Sequence, residues 1–298
     1  MHAEQNSVAS CEPVGAALLF QACEARVRSL AGRAVQALLD EARLTPKPAL
    51  VDRRGAGAHH DLSLLLMEAS ALSLRPHLEA MARAAASDAP GTRLRETLGS
   101  LGRRAEEAML QATGGINAHR GAIWAMGLCV AAAAAPGVQD ADSLCRYAGK
   151  IARLPDGFAP AANSHGQLAK REYGAGGARA EAAAGFPHVC QVGLPALRAA
   201  RRLGVGESFA QVAALLAIMS TLEDTCLLHR GGRQALLAAQ HGAASVRAAG
   251  GAWTAEGMAE MRLLEQRLMA LWASPGGSAD LLAVTLFVDR VFAERCDA

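Results

Sequence analysis

Apolar residues recur every three or four positions along most of the chain, the repeat of a helix that buries one face. Leu18, Leu19, Val27, Leu30, Val35, Leu38 and Leu39 trace such a face and predict a helix over 13–43 that ends with Asp40 and Glu41. The same repeat predicts helices over 93–111, 139–154, 189–203, 209–228, 234–249, 254–273 and 279–292, with an amphipathic segment between Pro76 and Ala86. Residues 122–135 are apolar on every side and read as core; a membrane span takes roughly 20 such residues, more than this run supplies. Between these elements, Ser87-Asp88-Ala89-Pro90-Gly91-Thr92 is a turn into an outer-wall helix that carries Arg103, Arg104, Glu106 and Glu107. Ser274-Pro275-Gly276-Gly277-Ser278-Ala279-Asp280 is a stop and restart, in which Pro and Gly break one helix and Ser278 caps the next. Trp253 and Trp272 read as core.

The stretch over 41–68 escapes the pattern. Pro46 and Pro48 fix their own φ and bias Thr45 and Lys47 toward extended backbone, so Lys47 is expected to be held out on a stiff strut. Arg53 and Arg54 follow, then Gly55 and Gly57, which let backbone N–H groups turn toward a ligand. His59, His60 and Asp61 come next, and the apolar run from Leu62 to Met67 predicts a buried helix with Asp61 as its N-cap. Glu68 lies about two turns beyond Asp61, so both carboxylates share a face. Singly, Asp61 is a plain cap and each arginine a solvated surface group. Together, cations, glycines and carboxylates suggest a phosphate ester held with a divalent metal, because so polar a loop is costly to order unless it binds something. Glu41 at a helix C-terminus opposes the macrodipole, a placement that a nearby cation or metal explains.

Two further corners have the same flavour. Thr113-Gly114-Gly115-Ile116-Asn117-Ala118-His119-Arg120-Gly121 leads into the apolar helix, where free N–H groups and a guanidinium make an anion seat. His229-Arg230-Gly231-Gly232 repeats the arrangement after a long helix with Glu223 and Asp224 near its end, a match too short to establish an internal repeat. Residues 155–187 form the least regular part, with Asn163-Ser164-His165-Gly166 and Gly174-Ala175-Gly176-Gly177, and read as a lid or binding loop. Within it, Arg179 and Glu181 are placed to pair a phosphate with a carboxylate.

Composition narrows the class. Of 298 residues, 51% are hydrophobic but only 4% aromatic, and Ala and Leu far outnumber β-branched residues, which favours an all-α fold. We expect a flexible arm over 1–12 and a single helical catalytic domain over 13–298 with the long irregular loop at 155–187. With 30 basic against 28 acidic side chains the net charge is +2, so neither nucleic acid nor membrane is an expected partner and any anion site is local. The N-terminus lacks the positive region of a secretory signal, and the protein is expected in the cytoplasm. Seven cysteines, with no CxxC pair, read as reduced thiols without chemistry.

The polar corners, taken in order, resemble a known family. Thr45-Pro46-Lys47-Pro48 with Leu50-Val51-Asp52-Arg53, Gly57-Ala58-His59-His60-Asp61, Asn117-Ala118-His119-Arg120-Gly121, Gly177-Ala178-Arg179-Ala180-Glu181-Ala182 with Gly185-Phe186-Pro187, Asp224-Thr225 with Leu228-His229-Arg230-Gly231-Gly232, and the segment from Ser274 to Asp280 resemble triphosphoribosyl-dephospho-CoA synthases. The resemblance implies a helical enzyme that joins ATP to 3′-dephospho-CoA, releases adenine, and makes the prosthetic-group precursor of the acyl-carrier subunit of malonate decarboxylase or citrate lyase. Its product would pass to a transferase acting on that acyl-carrier protein; a homodimer is left open. Ala118 and Arg120 in the Asn-Ala-His-Arg-Gly element, Ala49 where a glycine is common, and Ala180 are departures that lean toward the malonate branch.

A ribose hydroxyl must attack C1′ of the ATP ribose while adenine leaves, which needs a proton acceptor, a proton donor, and Mg²⁺ with cations around the triphosphate. For the metal the candidates are Asp61, Glu181, Glu223 and Asp224, with Glu41 and Glu68 second; for the triphosphate they are Lys47, Arg53, Arg120, Arg179 and Arg230. His59, His119, His229 and Glu181 are the candidate proton carriers, unranked. Two other readings compete: a His-Asp metal phosphohydrolase built on His60-Asp61, for which no upstream histidine is well placed, and a helical repeat scaffold, whose regular period is missing.

Overall fold

The computed structural model describes residues 12–159 and 171–293; residues 1–11 of the arm expected over 1–12 and the Asn163-Ser164-His165-Gly166 segment lie outside them. The protein is 73% helical, and the described residues contain no sheet. Its helices are α1 (Glu12–Arg43), α2 (Leu64–Ser73), α3 (Arg75–Ser87), α4 (Thr92–Ala112), α5 (Arg120–Ala134), α6 (Ala141–Arg153), α7 (Gly177–Ala183), α8 (Leu194–Arg202), α9 (Glu207–Met219), α10 (Thr225–Ala248), α11 (Ala255–Ala270) and α12 (Gly276–Ala293). A π-helical turn, His188–Gly193, runs directly into α8.

Two largely buried apolar helices hold the centre. Helix α5 buries nearly its whole circumference and packs on α3, α4, α6 and α12, while α12 packs on α1, α5, α9 and the π turn. Burial on all sides is what a helix apolar all round requires. Helices α1, α3, α4, α6 and α9 pack around this pair rather than stacking in a row, which argues against a repeat scaffold. Among the described residues no helix is long and apolar enough to cross a membrane.

Several expectations are corrected. The helix after the basic loop starts at Leu64 with Ser63, not Asp61, as N-cap: Ser63 Oγ accepts from the Leu66 amide. Nor is its apolar run buried, since Leu65 is 77% exposed. The helix expected over 209–228 stops at Met219, and the chain restarts at Thr225 as a single α10 through Ala248, kinked at Gly231 and Gly232. Residues 155–187 are not irregular throughout, for they include α7 and helical residues 171–173. Trp272 is half exposed, stacked on His60 with ring centroids 4.2 Å apart, rather than core. Cys145 of α6 and Cys190 of the π turn are disulfide-bonded, so the seven cysteines are not all free thiols; their 45-residue separation left no sequence signal.

Candidate active site

A cavity of about 470 Å³ opens where four helices begin. It is lined by Asp61 and Leu62 before α2, Asn117, Ala118, Arg120 and Gly121 around the start of α5, Cys226, His229 and Arg230 in the first turns of α10, and Ser274, Gly276, Ala279 and Asp280 around the start of α12. Glu41 from the end of α1 and Lys47, Leu50, Val51 and His59 from the loop complete the wall. Arg120 and Arg230 line this cavity and favour an anionic ligand, while amides at the helix starts are already taken by caps, Ser63 at α2, Asn117 and Asp280 at α5, and Asp224 at α10 and α12.

The loop is folded from within. Asp52 accepts from the amides of Lys47 and Arg54 and from the Arg54 guanidinium, which reaches on to Glu265 of α11. Gly57 has φ +58°, and a Cβ there would meet the Ala49 carbonyl oxygen at 2.5 Å, so only glycine lets the two strands of the loop close. Lys47 is not held out: its side chain is 1% exposed, and Nζ donates to Glu41 Oε1 at 2.5 Å and to the Glu41 carbonyl at 2.6 Å. The lysine thus supplies the cation that Glu41 at a helix C-terminus called for.

Of the residues singled out in the sequence, Lys47, His59, Asp61, Arg120, His229, Arg230 and Glu41 share this cavity. Asp61 is at its mouth, 63% exposed and 4.0 Å from His59. Arg230 donates to the Ala58 carbonyl and to His59 Nδ1 at 3.0 Å. Since that Nδ1 accepts, the neutral ring carries its proton on Nε2 and serves as a donor. Burial, then the Arg230 charge, hold the His59 pKa down to about 4. Arg120 leans toward Glu106 at 3.3 Å.

The others are engaged elsewhere. His119 lies behind the wall with Nδ1 2.7 Å from Ser70 Oγ and Nε2 buried without a partner, and burial followed by the Lys47 charge lowers its pKa to about 4. Glu181 is buried, accepting from the His188 amide and ring at 2.8 Å each. Arg53 is exposed and donates to the Arg43 carbonyl, Glu68 pairs with Arg43, and Glu223 and Arg179 are exposed. Asp224 caps two helices at once: Oδ1 accepts from the amides of Cys226 and Gly277, and Oδ2 from the Ser278 amide and hydroxyl. Ser278 therefore donates to the cap instead of being it. Among the described residues no three His, Cys, Asp or Glu side chains are grouped to hold a metal ion, so the four proposed metal ligands do not converge.

Asp280 was passed over in the sequence, because its segment reads so well as a helix restart. Its carboxylate sits against the Cα of Gly121, where any Cβ would collide with Oδ2, and faces the Ala122 amide. The available signal was an acid two residues past Ser278 in the first turn of an otherwise apolar helix.

Fold and cavity define an all-helical protein with an arginine- and carboxylate-bearing pocket where helix starts converge. A family model described as ATP:dephospho-CoA triphosphoribosyl transferase (CitG) matches residues 27–297. The chain is 57% identical over 264 residues to a probable 2-(5''-triphosphoribosyl)-3'-dephosphocoenzyme-A synthase of Pseudomonas paraeruginosa, covering 88% of this chain and 90% of that one. It is 51% identical over 269 residues to the 2-(5''-triphosphoribosyl)-3'-dephosphocoenzyme-A synthase of Klebsiella pneumoniae, covering 90% and 96%. No solved structure matches. The chain belongs to the triphosphoribosyl-dephospho-CoA synthase family and is a transferase.

Proposed function

We propose that the cavity at the four helix starts binds ATP by its triphosphate and brings C1′ of its ribose to the hydroxyl of 3′-dephospho-CoA. The observation that carries this reading is the convergence of Arg120, Arg230, His59 and Asp61 on one cavity. Arg230 is oriented by the Ala58 carbonyl and leaves its charge at the mouth, where a γ-phosphate would sit. His59 adds an Nε2–H donor. Mg²⁺ usually keeps several waters and takes one or two carboxylates plus phosphate oxygens. Asp61 at the mouth fits that limited demand, whereas Glu181 and Asp224 have their oxygens committed to protein donors. Bound there, the ion would neutralise triphosphate charge.

The product is the precursor of a prosthetic group, handed on to a transferase that loads an acyl-carrier protein. We assign it to malonate decarboxylase, on the strength of Ala118, Arg120, Ala49 and Ala180. Incubation with ATP, Mg²⁺ and 3′-dephospho-CoA should release one adenine per product formed, read by chromatography and mass; nucleotide turnover without free adenine would refute the reaction. A strain lacking the chain should lose growth on malonate and keep citrate fermentation, and the reverse pattern would move it to citrate lyase.

A further inference from the structure

Two acidic side chains, Glu41 and Asp280, line the cavity and a third, Asp224, acts on Asp280 from the turn before α10; their surroundings divide them. Asp224 is consumed by four hydrogen bonds that cap α10 and α12. Glu41 is ion-paired with the buried Lys47. Asp280 makes no ion pair among the described residues. It faces Glu41 from α1, Asp224 from the turn before α10, the Cys226 thiol from α10 and, from α5, Gly121 and the Ala122 amide, while Lys47, His59, Arg120, His229 and Arg230 line the same cavity. It also lines the cavity and is partly accessible through it.

We propose that Asp280 is a catalytic residue, the acid that protonates adenine as it leaves, with Glu41 opposite it taking the proton of the attacking hydroxyl. This rests on the transfer reaction proposed above. A buried carboxyl pressed by two other carboxylates keeps its proton, whereas Glu41 has an ammonium against it; environments that separate two carboxyls in this way are what assign acid and base. Burial, with Glu41 and then Asp224 adding to it, pushes the Asp280 pKa well above the usual carboxylate range.

In the step itself, the hydroxyl oxygen of dephospho-CoA forms a bond to C1′ while the C1′–N9 bond breaks and its electron pair stays with adenine. The Asp280 proton goes to a ring nitrogen of the departing base. The hydroxyl proton goes to Glu41, which faces Asp280 and returns it for the next turnover. The same positions explain why position 121 is glycine: a Cβ there would push the Asp280 carboxyl off the start of α5.

The test is Asp280→Asn, which keeps the shape and an oxygen for the Ala122 amide but has no proton to give. With ATP its kcat should fall about 100-fold or more, the usual weight of a general acid, with KM values within about three-fold and an unchanged far-UV spectrum. With 7-methyl-ATP, whose base leaves without protonation, the same variant should come within about five-fold of the wild type. A high-pH limb in the wild-type kcat profile should be absent from the variant. An equal deficit with both nucleotides, or an unaltered pH profile, would show that Asp280 only supports the fold, as would near-normal turnover of ATP. A wild-type enzyme that releases no adenine from ATP would instead remove the underlying reaction, an outcome distinct from failure of Asp280.

Discussion

Lys47→Met is the sharpest test of the site's physical logic, because it removes a charge and almost no volume. The lysine is nearly inaccessible, and its ammonium is shared between the carboxylate and the carbonyl of Glu41. Removing one partner of a buried pair strands the other charge in a poorly solvated place, which costs about 3–5 kcal/mol. For a chain of this size each kcal/mol lowers Tm by about 2–4 °C, so the midpoint should drop by about 6–20 °C. Replacing both partners, as Lys47→Met with Glu41→Leu, removes the stranded charge and should return stability to within about 2 kcal/mol of the wild type. The residual deficit is the unpartnered Glu41 carbonyl.

Urea unfolding of the four proteins, followed by far-UV circular dichroism, gives the coupling energy directly. It should be at least 2 kcal/mol, with the double variant more stable than either single one. Arg75→Ala, which breaks the exposed i,i+4 pair with Glu79, is the control and should cost about 0.5 kcal/mol or less. A cost below about 1 kcal/mol for Lys47→Met would place that lysine with the surface pairs and refute its burial as the reason for its position.

Other outcomes follow from the same structure. Gly57→Ala should destabilise by several kcal/mol, since its Cβ would overlap the Ala49 carbonyl in a left-handed conformation; Ala49→Gly, at φ +58°, should be close to neutral, relief of about 1 kcal/mol of backbone strain offsetting a lost buried methyl. His119 has a folded pKa lowered to about 4, so stability is full above the ordinary histidine value and is lost as pH falls from about 6.5 toward 4, by about 3 kcal/mol. His119→Gln should flatten that slope in urea titrations; an unchanged slope would exclude His119 as its source. The sign reverses for His188, whose pKa is raised first by its hydrogen bond to Glu181: its contribution is full below about pH 6.5 and fades as pH rises through the folded value. Glu181→Gln should abolish that alkaline loss, which thermal melts between pH 6 and 9 would reveal.

Helix positions were legible because apolar periodicity is a local property: α1, α4, α6 and α11 stand within a few residues of where the spacing places them. Some misreadings concern partners far away in the chain. Nothing near Ser278 shows that a carboxylate 54 residues earlier already caps its helix, and nothing near Cys145 points to Cys190. The prolines around Lys47 restrict its backbone and say nothing about which way its side chain turns. For the site, the glycine-flanked His-Arg corners carried real information, since Arg120 and Arg230 do meet in one cavity. The carboxylates were harder, because a sequence gives acid positions but not which lone pairs the fold has already used.

That last distinction accounts for how the cavity can keep acidic groups beneath the triphosphate site proposed above. Three ionised carboxylates there would repel a triphosphate, and the arrangement avoids this group by group. Amide dipoles from two helices absorb Asp224, Lys47 neutralises Glu41, and Asp280 retains its proton among them. Each solution depends on an element that also shapes the cavity wall: the starts of α10 and α12, the proline loop, and the glycine at the start of α5. The charge state of the floor is therefore set by folding itself, and a variant that loosens any of these elements should weaken nucleotide binding even where it touches no residue that meets the ligand.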